Sequence, residues 1–297
     1  VFHSLDAPLA YYIKERLGFG NVKKVKDKNA FLLVIAARKG LEKVINLING
    51  KIRTENKFNQ ITNNILNHDN YAEFRKKISL KLNSDKDLKN HWLAGFSDAD
   101  ASFQIKVLNR TNKVEVRLNF QIDQKRDSIL LLIKDFFGGH ISYNEIKDEY
   151  SYNSYSYGSA RHIISYFDHY HLLSSKHVHY LKWRKSYICV QNGNYAGLTK
   201  YYKTLGSKQP NSIISNDIKL SSLFVLGLKK LYSTEVLRVN SILTDDTKLS
   251  PYFVTGFSDG EATFSFTISK SNTTRMNYYP FFFYRITWKR CCTFTKN

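Results

Sequence analysis

The stretch Trp92-Leu93-Ala94-Gly95-Phe96-Ser97-Asp98-Ala99-Asp100-Ala101-Ser102-Phe103 recurs as Phe253-Val254-Thr255-Gly256-Phe257-Ser258-Asp259-Gly260-Glu261-Ala262-Thr263-Phe264. Any fold of this chain must place that segment twice. Its apolar start has a helical pattern, and Gly95 with Ala99, like Gly256 with Gly260, falls at i, i+4 on one helix face. Small residues there let two backbones approach where larger side chains would hold them apart. Each copy ends in an acid, Asp100 or Glu261, at the negative end of the helix macrodipole, a placement that needs a compensating cation. Two such helices packed together would set two carboxylates side by side, and oxygen ligands of that kind suit Mg²⁺. Asp98 and Asp259 lie two residues earlier and point elsewhere, which suits a structural duty.

These segments resemble the LAGLIDADG signature of homing endonucleases, with Leu93 to Ala101 and Val254 to Ala262 matching its positions. Ala101 and Ala262 stand where the signature usually has glycine, and Thr255 where it usually has alanine. An alanine is sterically mild where φ is negative, and threonine stays small, so the proposed chemistry survives both departures. The resemblance implies an α+β fold built of αββαββα units, with antiparallel saddle-like sheets in a pseudo-two-fold arrangement. It also implies one metal-binding acid from each motif helix, Asp100 and Glu261, and Mg²⁺ or another divalent cation held against the scissile phosphates.

With 297 residues and 42% hydrophobic content, the chain can bury a substantial core in one or two domains. The formal charge of +20 is spread along the chain and points to a polyanionic partner, nucleic acid above all. No apolar run approaches the roughly 20 residues that cross a bilayer, so no membrane partner is expected. Cys189, Cys291 and Cys292 offer neither a disulfide framework nor metal spacing, which fits packing roles in a reducing compartment. Abundant Lys, Asn, Ile, Tyr and Phe are what an AT-rich genome encodes. Together with the resemblance, that composition points to an organellar intron reading frame and a mitochondrial location.

Residues 90–205 read as one complete unit: the motif helix, a strand over 102–107, a second over 113–122, a helix over 128–137 stopped by Gly138-Gly139, a hairpin, and a helix over 158–170. Residues 1–68 repeat the back half of that unit at an offset of about 120, Ile13-Lys14, Gly18 and Val22 matching Ile133-Lys134, Gly138 and Ile141. Their motif helix is then expected upstream of Val1. Residues 69–89 read as a linker, 206–248 as a connector with a helical patch near Leu220 to Leu237, and 249–297 as the truncated start of a further unit, severed from the first. The alternative, that the C-terminal motif completes residues 1–68 in a permuted sense, is weaker on sequence grounds.

The wet faces of the strands carry Gln104, Lys106, Lys113, Glu115, Arg117, Asn119 and Gln121, the donors and acceptors that read base edges in a major groove. Lys176, Lys182, Arg184 and Lys185 form a basic cluster after the last helix. The resemblance implies a basic residue in the active site, best matched by Lys182 or Arg184, leaving Lys176 and Lys185 to grip phosphate. His169, His171, His177 and His179 form two His-x-His pairs, but without cysteines and on a helical pattern they read as packing or phosphate contacts ahead of zinc. The expected function is site-specific cutting of double-stranded DNA. The competing readings are an RNA-binding maturase acting on its own intron RNA and a catalytically inactive DNA-binding module, because fold alone does not specify function. Any protein partner is unknown from sequence.

Overall fold

The computed structural model describes residues 2–109, 114–193, 249–270 and 276–284. They divide into two compact units, Val1–Leu82 with Ser258–Asn297, and Asn83–Phe257. The segment expected as a connector, 206–248, lies outside the described residues, as do Lys113, Cys291 and Cys292.

The chain opens with β1 (Phe2–His3), a 3₁₀ turn and α1 (Ala7–Leu17). Pro8 occupies the first turn of α1, where a missing N–H costs nothing, and Gly18 closes it at φ 72° with its N–H on Lys14 and Glu15 oxygens. The hairpin β2 (Asn21–Lys24) and β3 (Ala30–Ile35) leads to α2 (Arg38–Ile48). Leu41, Val44, Ile45 and Ile48 form the buried stripe of α2, as helical periodicity requires. Then come α3 (Glu55–Ile61), a π turn, and α4 (Ala72–Lys77). The expected linker over 69–89 is therefore partly helical, because Tyr71 and Phe74 bury their rings. Asn49 clasps the rest, donating to the Ser79 carbonyl at 3.0 Å and accepting from the Lys81 N–H at 2.8 Å. Beyond it, Asn83, Asp85 and Asp87 each accept the N–H two residues on, a run of side-chain turns.

The second unit follows the predicted order through α5 (Trp92–Asp100), β4 (Ala101–Asn109), β5 (Val114–Gln124), α6 (Ser128–Phe137), β6 (His140–Asn144), β7 (Glu149–Ser154) and α7 (Tyr157–His169), and adds a further helix, α8 (Lys176–Gln191). Its antiparallel sheet runs β4-β5-β7-β6. One face is aromatic and dry. The Phe103 ring lies 5.1 Å from that of Phe120, 5.5 Å from Phe167 and Tyr180, and 5.7 Å from Trp183. Gly139 (φ 100°) lets β6 start close to β7, since a Cβ there would meet the Asn153 carbonyl oxygen at 2.6 Å.

The last described elements are α9 (Pro251–Glu261), β8 (Ala262–Lys270) and β9 (Met276–Tyr284). They correct the expectation of a severed unit over 249–297. β9 pairs antiparallel with β3, Val34 opposite Phe283 and Ile35 opposite Phe282, and β8 pairs with β9. Since β2 takes the other edge of β3, the path β2-β3-β9-β8 reproduces β6-β7-β5-β4, with the short β1 added beside β3. The hairpin that residues 1–68 lack is thus supplied from the far end of the chain. The physical reason is the open edge of β3: without β9 its outward N–H and C=O groups over Val34 and Ile35 would have no strand partner.

Candidate active site and nucleic-acid interface

α5 is buried from Trp92 to Ala99. A Cβ built on Gly95 would run into the carbonyl oxygen of Phe253 and come within 2.8 Å of the Phe257 nitrogen. One built on Gly256 would run into the Trp92 carbonyl oxygen and come within 2.9 Å of the Phe96 nitrogen. Within the unit Asn83–Phe257 the motif helices therefore touch backbone to backbone at the two glycines the spacing picks out. Ala99 is buried and Gly260 half-buried. Thr255, in the alanine position, is dry but satisfied, its hydroxyl donating to the Pro251 carbonyl at 2.7 Å.

The first acid of each motif is a structural clasp. Asp98, buried, accepts from the N–H groups of Leu173 (2.6 Å) and Ser174 (3.1 Å) and from the Ser174 hydroxyl (2.6 Å), just ahead of α8. Asp259 does the same ahead of α3, accepting from the Arg53 N–H (3.0 Å), the Thr54 N–H (3.4 Å) and the Thr54 hydroxyl (2.6 Å). A carboxylate near the positive end of a helix is favourably placed, so each clasp also serves the dipole.

The terminal acids are differently set. Asp100 is half-buried and accepts from Gln124 Nε2 at 2.6 Å, while Glu261 is only 5% exposed. The compensating cation expected at these helix ends is present in both units. Lys176 Nζ donates to the carbonyls of Ala99 (2.7 Å) and Ser97 (3.3 Å), and Lys57 Nζ to that of Ala262 (2.6 Å). Ala101 has φ −83°, so its replacement of glycine is unstrained.

From Asp100 the chain passes into β4, and the sheet face opposite the aromatic core is polar across all four strands. Ser102, Gln121, Asn153 and His140 stand in one row, and Asp123, Ser151 and Ser142 in the next. Gln104 Nε2 donates to Gln121 Oε1 (2.8 Å), Gln121 Nε2 to Asp123 Oδ1 (2.9 Å), and the Ser151 hydroxyl to the same Asp123 oxygen (2.6 Å). Lys106 is paired in register with Arg117, which holds Glu115 in an exposed ion pair. Such a row of oriented amides, carboxylates and cations can present hydrogen-bonding groups to base edges.

Residues 93–187 match the family model described as LAGLIDADG endonuclease. A cox1 intron-2 protein of Schizosaccharomyces pombe is 59% identical over 205 residues, 68% of this chain and 64% of that protein. The intron-encoded DNA endonuclease aI3 of Saccharomyces cerevisiae is 28% identical over 232 residues, 65% of this chain and 56% of that protein. Residues 93–187 form a LAGLIDADG endonuclease domain. Among solved structures, the LAGLIDADG meganuclease I-CpaMI bound to uncleaved DNA is similar at 25% identity and TM-score 0.44, over 64% of this chain and 65% of that one. The chain spans less than two thirds of each of these proteins.

Within the LAGLIDADG domain, several expected site residues have structural partners of their own. Arg184 pairs with Asp168 of α7 at 2.9 Å, and Asp168 also accepts from the Tyr180 hydroxyl. That tie joins Arg184 of α8 to α7. Lys176, assigned to phosphate, instead caps the motif helix. Asn119 is buried, its Nδ2 donating to Gln104 and Asn153 and its Oδ1 accepting from the Ser154 N–H, so it positions neighbouring side chains more than it meets solvent. Lys185 is exposed and Lys182 half-buried on α8. Gln124, Lys57 and the β6–β7 half of the polar face were not singled out from sequence. Lys57 could have been found as the residue shortly after Arg53-Thr54 that falls near the equivalent of Lys176 at the offset of about 120.

His177 and His179 both lie on α8, and the His177 ring packs 6.0 Å from that of His171. Burial, with His171 nearby, pushes His177 down to about 4, and burial with Lys182 and Lys176 does the same for His179. Both imidazoles are then neutral in the folded chain at pH 6. Unfolded, they protonate near their ordinary value of 6.5, so unfolding takes up protons and stability falls as pH drops from 6.5 towards 4. For the buried His177 the loss should approach about 3 kcal/mol across that window. Urea midpoints measured from pH 7 to pH 5 should decline in the parent and decline less in His177→Asn; equal declines would remove this residue from the explanation.

Proposed function

We propose that this LAGLIDADG protein is a site-specific endonuclease, encoded by a mitochondrial intron, that hydrolyses phosphodiester bonds in double-stranded DNA with Mg²⁺ or another divalent cation. The observation that carries the reading is the polar face of β4-β5-β7-β6, which begins at a half-buried carboxylate on a helix end neutralised by lysine. The donor set fits the ion: Mg²⁺ takes one or two carboxylates and keeps several waters, and Asp100 and Glu261 are hard oxygen donors at the ends of largely buried helices. When bound, the ion would supply an activated water and charge stabilisation at the phosphoryl oxygens.

The chain's own residues do the rest. Gln124 orients the Asp100 carboxylate by its hydrogen bond, and Asp98 fixes α8 so that Lys176 stays at the helix end. The face carrying Gln104, Lys106, Glu115, Arg117 and Gln121 would hold the duplex in register, with the exposed Lys185 meeting phosphate. The test is cleavage of a DNA fragment spanning the intronless insertion site, with Mg²⁺. Asp100→Asn should abolish strand cleavage and leave DNA affinity within a few-fold of the parent, since it removes a ligand charge and keeps Gln104, Lys106, Arg117 and Gln121 on the sheet. Undiminished cleavage would sink the assignment of Asp100. Binding to intron RNA without any DNA cleavage would put the splicing-cofactor reading in its place.

A further inference from the structure

The two units build equivalent hairpins with opposite chemistry. By sheet order β2–β3 in one corresponds to β6–β7 in the other. The β2–β3 tip carries Lys23, Lys24, Lys26 and Lys28 against a single acid, Asp27, and all four lysines are exposed. The turn that presents them is ordered, with the Val25 N–H on the Ala30 oxygen at 2.9 Å and Asp27 at φ 56°. None of the four has an ion-pair partner among the described residues. The β6–β7 tip has one lysine, Lys147, among Glu145, Asp148 and Glu149, and its cationic neighbour Lys125 is spent on the Lys147 and Asp148 carbonyls.

The faces behind the tips differ in the same sense. Where β7 offers Ser151 and Asn153 opposite Ser142 and His140, β3 offers Leu32 and Val34 opposite Lys23 and Asn21. Aliphatic side chains carry no donor or acceptor for a base edge, and four adjacent lysines are point charges suited to phosphate. An edge strand also gains from lysine as protection against pairing with another chain, and β2 is such an edge. That duty needs no cluster running through the turn, where Lys26 and Lys28 lie beyond the paired residues.

We infer that the β2–β3 hairpin is a phosphate clamp that holds duplex DNA without reading its sequence, while its counterpart β6–β7 carries hydrogen-bonding groups for base edges. The inference rests on the DNA-binding reading above. The probe is a labelled 30-base-pair duplex of random sequence, titrated with the full chain from 50 to 200 mM KCl. In Lys23→Gln/Lys24→Gln/Lys26→Gln/Lys28→Gln the slope of log K against log salt should become shallower by about 2–3.5, at roughly 0.9 for each phosphate no longer neutralised. The single variants Lys26→Gln and Lys28→Gln should each make it shallower by up to about one, and Lys147→Gln should leave the slope unchanged. Duplexes enriched from a random pool by the parent and by the four-lysine variant should share one sequence. An unchanged slope, or a changed enriched sequence, overturns the clamp while leaving DNA binding intact. A parent that binds no duplex overturns the functional reading and the clamp with it.

Discussion

Removing residues 249–297 should abolish the cooperative folding of residues 2–82. The deletion takes β8 and β9 from the sheet and leaves one edge of β3 open. It strips the Asp259 carboxylate from the Arg53 and Thr54 N–H groups at the start of α3, and it removes the carbonyls that Lys57 and Asn64 reach in Ala262 and Phe264. Each hydrogen bond to a charged group is worth about 1.5–3 kcal/mol, and a domain is held by only about 5–15 kcal/mol in all. Phe264, 1% exposed, goes as well, and burial of one such ring contributes about 1.5–3 kcal/mol. The summed loss is of the same order as the whole stability of the unit. Limited proteolysis reads this directly: in the shortened chain cuts should fall within residues 38–66 at protease doses that leave the full chain whole. Equal protection in both chains would mean that residues 1–82 stand without the C-terminal hairpin.

What sequence made legible was local or repeated. The order of elements over 90–170 followed from alternation in Phe103 to Ile122 and from the Gly138-Gly139 stop. The close helix approach followed from Gly95 and Gly256, and the need for a cation at the helix ends followed from the acids there. Which lysines answer that need was not legible, because Lys176 and Lys57 reach the motif helices from other elements, by tertiary packing that no spacing records. The β3–β9 pairing failed to show for the same reason. Its strands lie at opposite ends of the sequence, and the open edge of β3 becomes visible only once β2 is seen to fill the other. The Arg184 ion pair was not legible because a basic cluster on a helix gives no sign of which face each charge takes, and Asp168, its partner, lies on another helix. Asn119 had the right chemistry and the right face, but Gln104, Asn153 and the Ser154 N–H take up its amide, and it is buried among them.

Gly256→Val should be the most damaging single substitution in the motif helices. Its Cβ would point into the Trp92 carbonyl oxygen, a backbone atom already engaged in α5, so no side chain can swing aside to make room. The helices must separate, and the rings of Trp92, Phe96, Phe253 and Phe257 that pack beside the contact lose their fit. Overpacking of this kind costs about 1–3 kcal/mol where side chains can yield and more where only backbone can, so a loss above about 3 kcal/mol is expected in urea unfolding. Gly95→Ala meets the Phe253 carbonyl oxygen in the same way. The two changes should not add. Once one Cβ has pushed the helices apart, the other enters space already opened, so the double variant should lose clearly less than the sum of the singles. Strict additivity would show that each glycine is needed only for its own helix, and the close approach between the two helices would then not be what selects glycine at either position.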